Sequence, residues 1–279
     1  MNALRNTVTT PPQQDTRTAA DVSFPAKGEL CGIAYSRGTL PQFHAAICRW
    51  LWSDRAKGLT VGYVNPHVFN LAVGNPLMRA FLRQADIVTV DGVGFSVGVW
   101  LLNRENQPRT VMTPLFDRTL ATETLPALRA VVLGGTEAVA RKGSDAINRA
   151  GRKISVVASI DGYQPLDRCE DFVRAHPEAE LVLVAMGSPR SEEFILRARS
   201  LFPGKFFWNI GGGTLRFYAG DLRRVPVIVS RLCLQWLWRI MCEPSLTPRY
   251  LLGIPLFARH LARRPKPQTP KAIYEHSRG

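Results

Sequence analysis

From Leu59 onward the chain alternates short β-branched, apolar runs with longer amphipathic segments, and this succession limits the fold more than any other feature. The runs are Leu59–Val64, Ile87–Val90, Ala130–Leu133, Ile154–Ser159, Leu181–Ala185 and Phe206–Ile210. Between them lie Asn75–Gln84, Gly94–Leu102, Pro114–Thr122, Glu137–Ala150, Leu166–His176 and Ser191–Leu201, each read as helical. Apolar runs without polar alternation suit strands buried on both faces, as in parallel sheets. Strand and helix in strict turn predict an α/β fold, a Rossmann-like layered and mostly parallel sheet with right-handed crossovers. By composition, residues 1–27 read as a disordered tail, 28–225 as the α/β core, 226–265 as an amphipathic helical appendage and 266–279 as a flexible tail.

The appendage differs from the core in character. Val227–Met241 is apolar apart from Ser230 and a polar line of Arg231, Gln235 and Arg239 at four-residue spacing, with Trp236 and Trp238 on the broad face. Arg249–Arg264 again mixes Leu, Ile and Phe with arginine. The chain carries a formal charge of +14, and residues 221–279 hold eleven of its basic and three of its acidic side chains. Aromatic and basic residues on apolar helices suit the surface of an anionic membrane, or equally a cap on the core with solvated arginines. No apolar stretch approaches the ~20 residues of a membrane span. The first 27 residues lack the apolar centre of a signal peptide. Five cysteines without close pairing point to a reducing compartment, so a cytoplasmic location is expected.

In open α/β sheets ligands gather beyond the carboxyl ends of the strands. Those ends here read Asn65-Pro66, Asp91-Gly92, Gly134-Gly135, Met186-Gly187-Ser188-Pro189-Arg190 and Gly211-Gly212-Gly213-Thr214. Glycines there let backbone amides approach phosphate oxygens. Each has a plainer reading: Gly-Gly as a tight turn, Asp91 as a turn residue, Asn65 as a helix cap. Their convergence on one rim of one sheet is what points to a site. The five histidines have no metal-ligand spacing. A Gly-x-Gly-x-x-Gly fingerprint is missing after the first strand, which counts against the alternative of a nucleotide-cofactor oxidoreductase.

Several elements occur in a characteristic order: Asn65, Ala85-Asp86 with Asp91-Gly92, Leu133-Gly134-Gly135, Asp161-Gly162-Tyr163, Gly187-Ser188-Pro189-Arg190 with Glu192, Gly212-Gly213-Thr214, Arg224-Val225-Pro226 and Trp236-Leu237-Trp238-Arg239 with Glu243-Pro244. This string resembles the bacterial WecG/TagA/CpsF glycosyltransferases over roughly residues 30–250. The resemblance implies an inverting transfer of a hexose or N-acetylhexosamine from a UDP-sugar to a lipid-diphosphate-linked saccharide acceptor. The setting it implies is the inner face of the bacterial cytoplasmic membrane, with anionic lipid, in cell-surface or exopolysaccharide biosynthesis. It assigns the general base to Asp91 and the orientation of sugars to Asn65 and Arg109. Gly134, Gly135, Gly187, Ser188, Pro189, Arg190, Glu192, Gly212, Gly213 and Thr214 would line the substrate pocket. Arg231, Arg239 and Arg249 would close over it and meet the diphosphate. No metal, cofactor or nucleic-acid partner is implied, and a homo-oligomer is left open. The chain departs from the family's pattern at Tyr63 (commonly Thr), Met112, Pro114, Ser191 (Gln), Arg216 (Asp) and Gln235 (Glu). These departures point away from N-acetylmannosamine as donor and towards a hexose; a basic membrane-binding member without activity is the remaining alternative.

Overall fold

The computed structural model describes residues 23–53 and 57–223, then Val225, Pro226, Ile228, Val229 and residues 234–263. The expected tail over 266–279 and nearly all of that over 1–27 lie outside the described residues.

Six strands, β3 (Leu59–Val64), β4 (Ile87–Val90), β5 (Leu128–Gly134), β6 (Ile154–Ile160), β7 (Leu181–Ala185) and β8 (Phe206–Asn209), form one parallel sheet in the order β4-β3-β8-β7-β5-β6. The apolar runs of β3, β4 and β7 are buried almost throughout because helices cover both faces. β6 departs from the expectation of a doubly buried strand. It lies at the sheet edge, so Ser155 and Val157 face outward and its first residues alternate.

On one face pack α2 (Pro66–Gly74), α3 (Pro76–Gln84), α4 (Val93–Asn103), α7 (Leu166–Arg174) and α8 (Arg190–Leu201), sharing a core with Val64, Val131 and Val184. On the other lie α1 (Leu40–Trp52), α5 (Met112–Leu120), α6 (Glu137–Ala150) and α9 (Gly212–Tyr218) around Val61, Val132, Leu183 and Trp208. Asparagine caps start two of these helices. Asn65 Oδ1 accepts from Val68 N at 2.9 Å, and Asn75 Oδ1 from Leu77 N at 2.9 Å, each with proline in the first helical position.

Three elements lie outside the sequence expectations. A hairpin, β1 (Lys27–Leu30) and β2 (Ile33–Ser36), turns at Cys31 and Gly32, both at positive φ. It therefore begins one residue inside the span read as a disordered tail, and Lys27 Nζ donates to Ala85 O at 2.5 Å. Helices α1 and α2 are the other two. After the core come α10 (Gln235–Cys242) and α11 (Thr247–Ala262). The continuous helix expected over 227–241 is described as α10 only from Gln235. α11 packs on α2 and α4, with Phe257 against Phe69 and Phe95 and Asn70 Nδ2 donating to Gly253 O at 2.8 Å.

β3 and β8 are neighbours, yet α2 leaves β3 towards one face and α9 leaves β8 towards the other. Divergence of this kind opens a crevice at the carboxyl ends of the strands.

Candidate active site

Asp91 follows β4 directly, its N–H donating to Val64 O at 2.8 Å and so continuing the ladder. Gly92, at φ 131°, turns the chain there into α4, a geometry that favours glycine. Thr110 N bonds to Val90 O at 2.7 Å on the free side of this edge strand, which brings Arg109 and Met112 to the end of β4. Burial raises the Asp91 carboxyl above the usual range; Arg239, Arg109, the Met112 N–H and Arg249 pull it back only part of the way. A carboxylate held above its ordinary pKa is a stronger base than an exposed one.

Three arginines from distant stretches of sequence therefore meet around one carboxyl. Arg109 Nη1 donates to Gln235 Oε1 at 2.9 Å, linking the end of β4 to α10. Arg239 lies against the first turn of α9 so closely that a Cβ on Gly213 would sit 2.6 Å from its Nη2. Arg249 also faces Tyr63 and His67; burial and this arginine lower the His67 pKa to about 4, leaving a neutral imidazole. Arg216 forms an ion pair with Glu243, a further tie between α9 and the segment following α10. The polar stripe of the appendage thus faces the crevice in Gln235 and Arg239, while Arg231 lies outside the described residues.

The β7 exit forms the opposite wall. Ser188 Oγ donates to Glu192 Oε1 at 2.7 Å, and Asn209 Nδ2 donates to the same oxygen at 3.1 Å. Glu192 is fully buried, which raises its carboxyl pKa against the pull of the bonds from Ser188, its own amide and Asn209. Its Oε2 has no hydrogen-bond partner among the described residues. Gly187, at φ 82°, has open space where a Cβ would lie, and a cis bond joins Ser188 to Pro189. Thr214 Oγ1 meets Thr113 Oγ1 at 2.9 Å, and Gly212 lies against Ala185 O.

Other expected site residues have plain structural duties. Arg190 Nε donates to Gly162 O at 2.9 Å and a second nitrogen to Gln164 O, pinning the β6–α7 loop. A Cβ on Gly134 would fall 2.6 Å from the Ala185 backbone, and one on Gly135 2.6 Å from Val139. Asn65 caps α2, as its plainer reading held. Asn209 and His67 join the site without having been singled out; a polar residue inside the otherwise apolar run Phe206–Ile210 was the available signal for Asn209.

A family model described as the glycosyl transferase WecG/TagA/CpsF family matches residues 29–271. The chain belongs to this family. Among its curated relatives is the N-acetylglucosaminyldiphosphoundecaprenol N-acetyl-β-D-mannosaminyltransferase of Bacillus spizizenii, 27% identical over 229 residues, covering 81% of this chain and 88% of the relative. Proteins of the same name from Staphylococcus aureus (26% over 255 residues, 88% and 96% covered) and Bacillus subtilis (27% over 232 residues, 81% and 88% covered) are similar in the same way. The chain is accordingly a glycosyltransferase of this family, with the crevice at Asp91 as its candidate active site.

Proposed function

We propose that the protein moves a hexose or N-acetylhexosamine from a UDP-sugar to a lipid-diphosphate-linked saccharide, with inversion and with Asp91 as general base. The observation that carries this reading is the meeting of Arg109, Arg239 and Arg249 around the Asp91 carboxyl. The relatives' printed names, which describe sugar transfer to a diphosphoundecaprenol-linked N-acetylglucosamine, support the acceptor class.

The acceptor hydroxyl is a weak nucleophile at neutral pH. As its oxygen bonds to the anomeric carbon, its proton passes to Asp91 and the carbon–oxygen bond to UDP breaks on the opposite side. One displacement assisted by one base inverts the anomeric centre. The leaving diphosphate gains charge in the transition state, where arginine donors already in place stabilise it more than in the ground state. Product polymers of the cell-surface or exopolysaccharide type fit a lipid-linked acceptor.

No helix among the described residues is long and apolar enough to cross a membrane. The proposed association is therefore peripheral, on anionic lipid at the inner face of the cytoplasmic membrane. The exposed Trp236, Leu237 and Met241 of α10 and Leu251 and Leu252 of α11 support it.

The test is UDP release from UDP-glucose, UDP-N-acetylglucosamine and UDP-N-acetylmannosamine, with and without a lipid-diphosphate saccharide in detergent. Acceptor-dependent release is expected with at least one donor, falling about 10²–10⁴-fold in Asp91→Asn while UDP binding persists. Equal turnover by Asp91→Asn would remove the base assignment.

A further inference from the structure

One buried carboxyl at the crevice takes no part in the transfer proposed above. Glu192, in the first turn of α8, is 0% exposed, and its hydrogen bonds are one-sided. Oε1 accepts from Ser188 Oγ at 2.7 Å and from Asn209 Nδ2 at 3.1 Å. Oε2 is buried with no partner among the described residues. The direction of the Asn209 contact is fixed independently. Gly211 N can only donate, and it bonds to Asn209 Oδ1 at 3.2 Å, so the amide nitrogen is the atom that faces Glu192. Two donors on Oε1 make it the carbonyl oxygen and leave Oε2 as the place for a proton.

An ionised carboxylate spreads its charge over both oxygens, and a bare charged oxygen in the interior costs far more than a bare hydroxyl. Among the described residues no ion pair includes Glu192. On α8 itself Arg190 is committed to the Gly162 and Gln164 carbonyls, Arg197 pairs with Glu170, Arg199 donates to Gln84 O, and Glu193 carries a like charge. α3, packed on α8, brings Arg79, which donates to Ala72 O and Val73 O, and Arg83, which lies 4.0 Å from Glu29. β7 and β8 bring no charged side chain, and β3 brings the Tyr63 phenol. Burial accordingly raises the Glu192 carboxyl above the usual range.

The same two bonds tie the exits of neighbouring strands. Ser188 lies just past β7, Asn209 ends β8, and Asn209 Oδ1 holds the Gly211 turn from which α9 starts. Against the first turn of α9, at Gly213, lies Arg239, the nearest in effect of the arginines acting on Asp91. We infer that Glu192 is a positioning residue kept as a neutral carboxylic acid, whose Oε1 carbonyl locks Ser188 to Asn209 and so holds one wall of the crevice. Its role in turnover rests on the transferase reading above; its protonation does not.

The test joins infrared spectroscopy of the full chain at pH 7 to kinetics with the donor that the UDP-release assay selects. Because the Asp91 carboxyl is raised as well, the spectra are taken in the Asp91→Asn background. A protonated-carboxyl C=O band is expected there and should vanish when Glu192→Gln is added. A spectrum without that band, or a band that survives Glu192→Gln, overturns the neutral acid. Glu192→Gln keeps a carbonyl for both bonds, whereas Glu192→Ala removes it. With Asp91 intact, kcat/KM should fall about tenfold or more further in Glu192→Ala than in Glu192→Gln, as for a small displacement of catalytic groups. Equal falls in the two variants, or no fall in either, overturn the positioning role. Should Glu192→Ala not fold, Ser188→Ala in the Asp91→Asn background decides instead. It takes one donor from Oε1 and should move the band to higher frequency; an unmoved band overturns the tie. A parent chain that turns over no donor ends the transferase reading and the positioning role together, and the infrared band still decides the protonation.

Discussion

For the base proposed at Asp91, burial and the neighbouring arginines act on the carboxyl in opposite directions. Burial raises its pKa, and Arg239, Arg109, the Met112 N–H and Arg249 oppose that rise. Two outcomes follow for this one residue. On the acid side kcat/KM should fall as pH drops through a pKa above that of an exposed aspartate, and a pH–rate profile checks it. Stability should move the opposite way. With the folded-state pKa above the unfolded one, the folded chain binds more protons in the window between them, so stability declines as pH rises through it and stays lower above. Asp91→Asn, which stays neutral, should therefore melt higher than the parent at pH 7, with the gain vanishing below the ordinary carboxylate range. Thermal unfolding at several pH values measures this, and a lower melting point for Asp91→Asn at pH 7 would contradict it. The sequence could nominate Asp91, Arg109, Arg239 and Arg249, because residue type and order carry that information. It could not show that Arg190 is committed to the Gly162 and Gln164 carbonyls, or that Asn209 and Ser188 share the Glu192 carboxyl. Apart from Ser188 to Glu192, four residues away, those are contacts between strand ends distant in the chain.

The same limit separates the elements that the sequence reveals from those it hides. Ile87–Val90, Leu59–Val64 and Leu181–Ala185 are bounded in the structure as their apolar runs suggest, since a strand covered on both faces has few polar positions to blur its ends. The β1–β2 hairpin is too short for such a signal, and its Cys31-Gly32 turn lacks the Asn-Gly or Asp-Gly pair that advertises a two-residue loop. α1 has a helical stripe in Phe43, Ala46, Ile47, Trp50 and Leu51, which periodicity alone makes readable, although it precedes the regular strand–helix succession. In α10 and α9 the contact between elements makes a prediction of its own. Gly213 lies inside a helix, where alanine would ordinarily add up to about 1 kcal/mol of stability. Its Cβ would meet Arg239, whose flexible end must then shift from its place between α9 and Asp91. Gly213→Ala should keep or raise the melting temperature while lowering kcat/KM about tenfold or more, at the level expected for weakening one transition-state donor. Unchanged turnover would mean that Arg239 acts from another position.

At the level of the whole molecule, the appendage binds the site on one side and presents apolar surface on the other. Gln235 and Arg239 face the crevice, while Leu251 and Leu252 on α11 are 62% and 72% exposed and Met241 on α10 is 70% exposed. Exposed large apolar side chains on a strongly basic stretch cost solubility unless a surface receives them. The proposed acceptor, held in a bilayer by its lipid, would supply a reason for that surface to lie beside the candidate active site. In the proposed arrangement, a docked enzyme would meet the acceptor's diphosphate as it leaves the headgroup layer. The two contributions separate experimentally, because salt screens the arginines while the leucines act through buried area. The full chain should sediment with anionic vesicles and less so as salt rises. Leu251→Gln with Leu252→Gln should weaken vesicle binding about tenfold or more at every salt concentration, given the ~1.5–3 kcal/mol attached to burying each leucine. UDP binding by this double variant should match the parent, since neither side chain is turned to the crevice. If it still sediments like the parent, α11 is not the face that meets the membrane, and the exposed residues of α10 become the ones to change.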